Sequence, residues 1–306
     1  MRIIHICDGW ERSNGAANIA RMIASEQEQS GHHVSMARWA SCGALRSADE
    51  VWVHCAWKPC LWWAALCAKR LKWMPEASYD PVRLGYHGWK KRLVGPIERF
   101  FLRRADVVVA TCEAEAEWIR TYEPRVKSIE VVDVKRFFRI ENGELRIENE
   151  RGLHLLYLGR RHPLKGVEYL ESAVEKVVSG RRESAVERQG LPVELRIVSD
   201  AFGEEKERVW EWCDVLVLPT LSENFGLVVA EALERGKRVI TTDGAPAWES
   251  GLGVKVESEK LRAGCFEGCE IRAGFGGRLT YLKGYRGGTR DVRVKLLKTA
   301  IENMLA

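Results

Sequence analysis

Short strand-forming runs alternate with longer helix-forming segments along this chain, and this alternation restricts the folds open to it. The first run, Arg2 to Cys7, is followed by a turn and a predicted helix from Ala16 to Ser30, which ends at Gly31. The same order continues with strands at Val34 to Trp39, Glu50 to Cys55 and Ala105 to Thr111, and helices at Cys60 to Leu71, Arg92 to Arg103 and Glu113 to Thr121. Such alternation predicts an α/β fold, with a doubly wound parallel sheet covered by helices on both faces.

A second alternating set follows a polar, charged stretch at residues 139–152, which is the predicted linker. It consists of strands at Leu153 to Leu158, Val193 to Val198, Asp214 to Leu218 and Arg238 to Thr242, and helices at Gly166 to Val178 and Phe225 to Arg235. Ten glycines between Gly251 and Gly288 indicate a loop-rich region before a last helix, Thr289 to Leu305. A chain of 306 residues also favours two domains of about 150 residues each. We predict domains at 1–145 and 151–287, and a C-terminal helix at 288–306.

Composition narrows the class of protein. The longest apolar runs, such as Leu61 to Cys67, are far shorter than the roughly 18 residues that a membrane-spanning helix needs. The first eight residues do not resemble a signal peptide, and the nine scattered cysteines suit a reducing compartment. We expect a cytoplasmic protein. Its net charge of +5 is too small to indicate a nucleic-acid partner.

Two glutamates lie eight residues apart in a segment that joins a predicted strand to a predicted helix. Glu223 precedes the helix and Glu231 is placed about two turns within it, so their carboxylates would be roughly 10 Å apart along the axis. Between them lie the backbone N–H groups of Asn224, Phe225 and Gly226, at a helix N-terminus where the macrodipole favours phosphate. This pattern suits the two ends of one extended ligand. The alternative is that Glu223 caps the helix and Glu231 is a surface acid.

A glycine followed by basic residues comes after an earlier predicted strand. Gly159 ends the strand, Arg160 follows, and Lys165 opens the next helix five residues later. Two cations at the carboxyl edge of a parallel sheet suit a diphosphate, although a solvated basic turn would have the same sequence.

Together these two segments resemble the donor site of retaining GT-B glycosyltransferases, especially the family 4 class, whose E-x7-E signature the first segment matches. The resemblance implies two Rossmann-like doubly wound parallel-sheet domains that face a central cleft, with the C-terminal helix crossing back to the N-terminal domain. In that class the first glutamate binds the donor sugar and the second binds the ribose, which implies these roles for Glu223 and Glu231. Arg160 and Lys165 match the diphosphate-binding positions, and the other implied donor-binding residues are Gly159, Asn224, Phe225, Gly226 and Leu227.

The same resemblance implies an activity. It is the retaining, metal-independent transfer of a hexose or related sugar from a nucleoside diphosphate-sugar, with no cofactor. The implied acceptor is a bacterial cell-surface glycan or glycolipid of the lipopolysaccharide type. One departure from the family concerns length: only fifteen residues separate Val198 from Asp214, where relatives usually have a further strand and helix. The shortened domain keeps open a second hypothesis, a degenerate relative that binds without turnover. A nucleotide-sugar epimerase is a third.

The first domain carries weaker candidates. Its opening loop contains Gly15 but no G-x-G-x-x-G, so a dinucleotide dehydrogenase is not indicated. The loop resembles the glycine-rich loop near the phosphates in GT-B enzymes, and an ordinary helix-opening turn is the alternative. On the acceptor side, the position of residues 74–91 in the family implies Glu76, Asp80 and His87 as candidates. We interpret His54, at a strand end, as a packing residue.

Basic charge is concentrated between Lys69 and Arg104, a segment that contains ten lysines and arginines and only three acidic residues. Trp73 and Trp89 lie among them, and amphipathic rings beside basic side chains suit a membrane surface. We predict peripheral contact with an anionic membrane at its inner face. A solvated helix face, or a pocket for an anionic acceptor, would explain the same charges.

Overall fold

A computed structural model of the chain divides into two α/β units, Met1–Phe137 and Phe138–Ala306. It describes residues 1–10, 15–140, 152–183, 192–199, 201–249, 252–256 and 269–305. The change from one unit to the next comes eight residues before the predicted limit of the first domain. Most of the predicted linker, including Asn142 and Gly143, is outside the described residues.

Six strands form one wholly parallel sheet in the first unit, with the order β2-β1-β3-β4-β5-β6. All five residues of β3 are buried, as expected for a central strand with both faces covered. The strands are β1 (Arg2–Cys7), β2 (His33–Ala37), β3 (Glu50–His54), β4 (Leu71–Met74), β5 (Val107–Ala110) and β6 (Ile129–Val131).

The helices of this unit connect successive strands. They are α1 (Gly15–Gln29), α2 (Cys42–Ser47), α3 (Pro59–Cys67), α4 (Pro81–Gly85), α5 (Gly88–Leu102) and α6 (Glu113–Tyr122), and a 3₁₀ turn at Val134–Phe137 follows β6. Proline begins both α3 and α4, where its missing N–H removes no helical hydrogen bond.

The predicted helix from Cys60 to Leu71 was wrong at its C-terminal end. The helix ends at Cys67, and Leu71–Met74 forms β4, between β3 and β5. The Leu71 N–H donates to Asp106 Oδ2 at 2.9 Å, which ties the start of this strand to the segment before β5. Trp73 is fully buried in the core, so it does not belong to the membrane-facing set in which we placed it.

The second unit has seven strands in the order β11-β12-β13-β10-β9-β7-β8. Five are parallel, from β8 to β13, and β12 and β11 add antiparallel pairs at one edge. The strands are β7 (Leu153–Leu158), β8 (Val193–Val198), β9 (Val215–Leu218), β10 (Arg238–Thr242), β11 (Leu252–Val256), β12 (Glu270–Gly274) and β13 (Leu279–Lys283). The helices are α7 (Val167–Glu183), α8 (Gly203–Trp212), α9 (Leu227–Glu234) and α10 (Arg290–Leu305), with 3₁₀ turns at Pro163–Lys165 and Pro246–Trp248.

The described part of the glycine-rich region, residues 252–256 and 269–288, contains three strands where its composition predicts loops. Gly276 and Gly277 adopt positive φ angles in the tight turn between β12 and β13, so these glycines build a hairpin. The closing helix α10 packs against α7 within the second unit. Its crossing back to the first domain stays a prediction.

The predicted shortening is visible at the other edge of this sheet. In the described residues between β8 and β9 there is one helix, α8, and no strand, so β8 is the edge strand. Its residues are exposed or half-buried, in contrast to the fully buried β9.

Candidate functional site

Three loops meet at the carboxyl edge of the second sheet. They follow β7, β9 and β10, which are neighbours in the sheet, so their carboxyl ends lie side by side. In open α/β sheets this edge is where ligands bind. Both segments that the sequence singled out, around residues 159–166 and 219–231, are at this edge.

The loop after β7 is held against the loop after β9 by backbone contacts. Leu221 N–H donates to the Leu164 carbonyl at 2.8 Å, and the Thr220 hydroxyl donates to the same oxygen at 3.1 Å. Gly166 ends the 3₁₀ turn with φ at +64°, and a Cβ there would overlap the carbonyl oxygen of Pro219. Glycine is therefore required where the two loops touch.

This packing brings Lys165 and Glu223 together. The Lys165 ammonium donates to Glu223 Oε2 in a close ion pair, although the two residues are 58 positions apart in the chain. Their side chains are 19% and 18% exposed, so water reaches the pair but does not surround it. The proposed diphosphate cation and the proposed sugar carboxylate thus share one small region.

The Glu223 backbone is fixed by the loop after β10. Glu223 N–H donates to the Gly244 carbonyl at 2.7 Å, and Trp248 Nε1 donates to the Phe225 carbonyl at 2.6 Å. Phe225 is buried against Trp248, with ring centroids 5.1 Å apart, so its side chain supports the loop from the core. Gly226 has φ at +74° and caps α9 in the left-handed conformation.

Helix α9 starts later than the sequence indicated. The helix begins at Leu227, so Glu231 lies in its second turn and not two full turns inside. The predicted distance of about 10 Å between the two carboxylates assumed that the helix begins at Phe225, and it therefore does not apply. Leu227 itself is buried. The Asn224 N–H points back to its neighbour's carboxylate, donating to Glu223 Oε1 at 3.3 Å.

Glu231 has a charge partner that the sequence did not reveal. Lys206 Nζ on α8 lies 2.7 Å from Glu231 Oε2, and the two side chains are 28% and 19% exposed. Both side chains are partly exposed at the site's edge, although the Glu231 Oε2 atom itself is buried. No motif pointed to Lys206, because its role depends on how α8 packs beside α9.

The remaining basic residues of the loop after β7 are exposed. Arg160 is exposed, and its carbonyl accepts from the Tyr157 hydroxyl at 2.9 Å. Arg161 pairs with Glu171 at 2.7 Å, and His162 Nδ1 accepts from the Leu164 N–H at 3.1 Å. Gly159, between strand and turn, has φ at +152°.

Asp243, after β10, joins a further loop to the same edge. Its carboxylate accepts from the backbone N–H groups of Gly284 at 2.9 Å and Arg286 at 2.7 Å, both after β13. Burial raises the pKa of this carboxyl, and the two N–H donors oppose that effect. Asp243 therefore has a structural role at this edge, joining the loop after β10 to the loop after β13.

The first unit has its own candidate residues at the carboxyl edge of its sheet. Gly15 is the first residue of α1, and a Cβ there would meet no atom of the described residues within 4 Å, so their packing does not require glycine. Residues 11–14 of the same loop are outside the described part of the chain. His87 is exposed, with φ at +54°, just before α5.

The other two acceptor-side candidates are buried. Asp80 caps α4 by accepting from the Val82 N–H at 2.8 Å. Glu76 ends a buried chain in which its Oε1 lies 3.2 Å from His54 Nδ1, His54 Nε2 lies 2.9 Å from His5 Nδ1, and His5 Nε2 lies 2.8 Å from Gln27 Oε1. Contact of Glu76, Asp80 or His87 with an acceptor stays a prediction.

The protons of this buried chain can be assigned in sequence. Burial lowers the pKa of both His5 and His54 to about 3, so both rings are neutral. Because Gln27 Oε1 accepts, His5 Nε2 carries its proton, and His54 must donate from Nε2 to His5 Nδ1. His54 Nδ1 is then an acceptor, which requires a protonated Glu76, and burial indeed raises the pKa of Glu76 to about 8. His54 is a packing residue, as expected, but one within a hydrogen-bonded chain.

Comparison with protein families identifies both units. Residues 35–134 match a glycosyl transferase 4-like domain, and residues 152–263 match glycosyl transferases group 1. The two matches together cover more than two thirds of the chain. A comparison with curated proteins found no match.

Solved structures of similar fold are distant in sequence. A sucrose-phosphate synthase from Thermosynechococcus elongatus is 13% identical with a TM-score of 0.54, over 79% of this chain and 81% of its own. The lipopolysaccharide outer core galactosyltransferase WaaB is 15% identical with a TM-score of 0.52, over 100% of this chain and 92% of its own. These similarities establish the expected GT-B fold class, with two parallel-sheet α/β domains.

Proposed function

Because this chain carries a glycosyl transferase 4-like domain followed by a glycosyl transferases group 1 domain, we propose that it transfers a hexose or related sugar from a nucleoside diphosphate-sugar. The acceptor in this proposal is a bacterial cell-surface glycan or glycolipid of the lipopolysaccharide type, at the cytoplasmic face of the membrane. The anomeric configuration is retained. The observation that carries the proposal is the pairing of Lys165 with Glu223 at the carboxyl edge of the second sheet.

The pairing matters because a nucleotide sugar has its two chemically distinct groups next to each other. The diphosphate requires cations, and the sugar hydroxyls require an acceptor such as a carboxylate. Lys165 and Glu223 supply these two partners within contact distance of one another. When the donor binds, Lys165 exchanges the carboxylate for a phosphate oxygen, and Glu223 is released to accept from the sugar hydroxyls.

In the proposed reaction the bond between the anomeric carbon and the diphosphate breaks while the acceptor oxygen attacks from the same face. Lys165 and Arg160 stabilise the negative charge that develops on the leaving diphosphate, which is the role a metal has in other transferases. The leaving phosphate accepts the proton of the acceptor hydroxyl, so no protein base is needed. Glu231 holds the ribose hydroxyls, which take the place of Lys206 as partners of the carboxylate.

The edge position of β8 favours one alternative. Because no further strand lies beside β8, the sheet offers less surface against which a nucleotide base can pack. A protein that binds a nucleotide or glycan without turnover would tolerate this loss. The two cations beside the carboxylates argue against a protein that binds only a glycan, which has no diphosphate for them to pair with.

Release of nucleoside diphosphate tests the proposal. The protein is incubated with a panel of nucleoside diphosphate-sugars, with and without a cell-envelope lipid extract as acceptor. Release that depends on the extract, for one donor of the panel, is the expected result. Donor binding without release in any condition would support the non-catalytic alternative, and conversion of the donor without acceptor would indicate an epimerase.

A further inference from the structure

Helix α5 in the first unit exposes a row of large apolar side chains to solvent. Trp89, Leu93, Ile97 and Phe100 are 63%, 71%, 46% and 52% exposed. They are spaced by four, four and three residues, so at 3.6 residues per turn they form one continuous stripe along the helix. We call these four residues the α5 stripe.

The opposite side of the helix is anchored in the core. Gly95, Glu98 and Leu102 are buried, and the Glu98 carboxylate accepts from Trp62 Nε1 at 2.5 Å and from the Tyr79 hydroxyl at 2.7 Å. A buried carboxylate with two side-chain donors resists rotation of the helix, because turning it would leave those groups without partners. The α5 stripe therefore faces outward in the folded unit and cannot be turned inward.

Basic side chains flank the stripe. Lys90, Arg92 and Arg99 are exposed, whereas Glu98 is the helix's single acid and is buried. Lys90 Nζ lies 5.5 Å from the Trp89 ring centroid, so charge and aromatic ring are presented together. Lys91 is partly buried and donates to the Arg83 carbonyl, which separates it from this exposed set.

From this arrangement we propose that α5 lies in the interface of an anionic lipid bilayer, with the α5 stripe at the acyl boundary and Lys90 and Arg92 on the lipid phosphates. An apolar face flanked by lysine and arginine is what interfacial helices present to such membranes. The helix has 15 residues, about 22 Å, which suits lying in the interface. Among the described helices none is long and apolar enough to cross a bilayer.

Charge also argues for lipid over a second copy of this chain. In a two-fold contact the α5 stripe would pack against itself, and each copy would bring exposed Lys90, Arg92 and Arg99 to the same region. No exposed acid on α5 offsets that repulsion. An anionic bilayer supplies the opposite charge.

Co-sedimentation of the full chain with phosphatidylcholine vesicles, with and without phosphatidylglycerol, tests this surface without any sugar donor. The outcome is therefore independent of the proposed transfer activity. The intact protein should sediment with the anionic vesicles at low salt and much less at high salt. Equal sedimentation with the neutral vesicles, or none with the anionic ones, would overturn the proposal.

Three variants separate the contributions to binding. Leu93→Gln/Ile97→Gln/Phe100→Gln, which keeps the charge, should weaken binding to the anionic vesicles on the order of a hundredfold. Lys90→Gln/Arg92→Gln should weaken it about thirtyfold at low salt. The control, Trp39→Gln/Phe202→Gln, removes exposed apolar residues outside α5 and should bind like the intact protein.

Light scattering of the same proteins tests whether a second copy of this chain, and not lipid, covers the α5 stripe. If the intact chain is a dimer that becomes monomeric in the triple variant, and vesicle binding is absent, the stripe is a protein interface and the proposal fails. Undiminished vesicle binding by the triple variant would also overturn it. All four proteins should be folded, because the substituted side chains are on the surface.

Discussion

Glu223 and Glu231 have different neighbours, and this difference defines their proposed roles. Glu223, in the loop before α9, is paired with Lys165 from the turn after β7. Glu231, within α9, is paired with Lys206 from α8. A ligand that reaches both would meet the first through its sugar end and the second through its nucleoside end. The roles can be separated because one end of the donor is absent from the free nucleoside diphosphate.

Glu223→Gln and Glu231→Gln should consequently fail in different ways. Glu223→Gln should reduce transfer while leaving the affinity for nucleoside diphosphate nearly unchanged, since that ligand has no transferred sugar. Glu231→Gln should weaken the binding of the nucleoside diphosphate itself by about 1 to 3 kcal/mol, because a charged hydrogen-bond partner of the ligand is lost. Calorimetric titration of both variants decides this, with the exposed Glu211→Gln as the matched control. Equal affinities in the two site variants would contradict the split.

The buried chain from Gln27 to Glu76 predicts a pH dependence of stability. In the folded protein Glu76 stays protonated up to about pH 8, while an unfolded glutamate ionises near 4.5. Between these values the folded state holds the extra proton, so stability falls as pH rises, by about 1.4 kcal/mol for each pH unit. The lowered pKa values of His5 and His54 act in the other direction, with stability lost as pH falls below 6.5 toward 3.

Glu76→Gln should remove the first of these effects. The glutamine amide donates to His54 Nδ1 as the protonated carboxyl does, and it does not ionise. Urea unfolding of both proteins at pH 6.5 and 7.5 should show the intact protein losing about 1 kcal/mol more than the variant over that interval. The histidine contributions are common to both and cancel in the comparison. Parallel pH dependences would show that Glu76 is ionised in the fold.

At the scale of elements, the site depends on one close contact between two loops. Gly166 at φ +64° lets the turn after β7 rest on the Pro219 carbonyl, and this contact brings Lys165 to Glu223. Neither element places the pair alone. Gly226 and the Trp248 hydrogen bond fix the other side of the same loop.

Gly166→Ala should therefore damage stability and site together. The added methyl group overlaps a backbone oxygen and strains a left-handed residue, which we expect to cost about 2 to 4 kcal/mol of unfolding free energy. Gly15→Ala is the matched control, because a methyl group there meets no described atom within 4 Å. Thermal unfolding measures both. A Gly166→Ala protein as stable as the control would show that the loops are not in contact.

Local patterns predicted the elements where burial is continuous. Strands β1, β3 and β7 read as apolar runs because both of their faces are covered, and α1 ends beside Gly31 as its sequence indicates. Strand β4 was missed because a strand of four residues is too short to show an alternation of apolar and polar residues distinct from that of the helix before it. The β12–β13 hairpin was missed because its turn glycines resemble those of a loop.

The candidate site was predictable in part, for a similar reason. Arg160, Lys165, Glu223 and Glu231 lie in local motifs, and the structure brings all but the exposed Arg160 into described ion pairs at one sheet edge. Lys206 and His5 have no such motif. Their partners come from distant segments, so only packing reveals them.

At the scale of the whole molecule, each unit has a distinct part in the proposed function. In that proposal the sheet edge of the second unit binds the donor, and the first unit has the acceptor-side candidates and the exposed α5 stripe. The edge position of β8 is the feature that favours a binding protein over an enzyme. Turnover, and its dependence on the paired charges, distinguishes the two.

The rate of nucleoside diphosphate release by Lys165→Ala, beside the exposed control Lys176→Ala, tests that claim most directly. Loss of one charge partner of the leaving diphosphate should cost about 2 to 4 kcal/mol in the transition state, so release should fall by about two to three orders of magnitude. The measurement is made well below the melting temperature of both variants, so that both are folded. We predict that Lys176→Ala releases nucleoside diphosphate at the rate of the intact protein and that Lys165→Ala does not. Equal release by the two folded variants would contradict the proposed site.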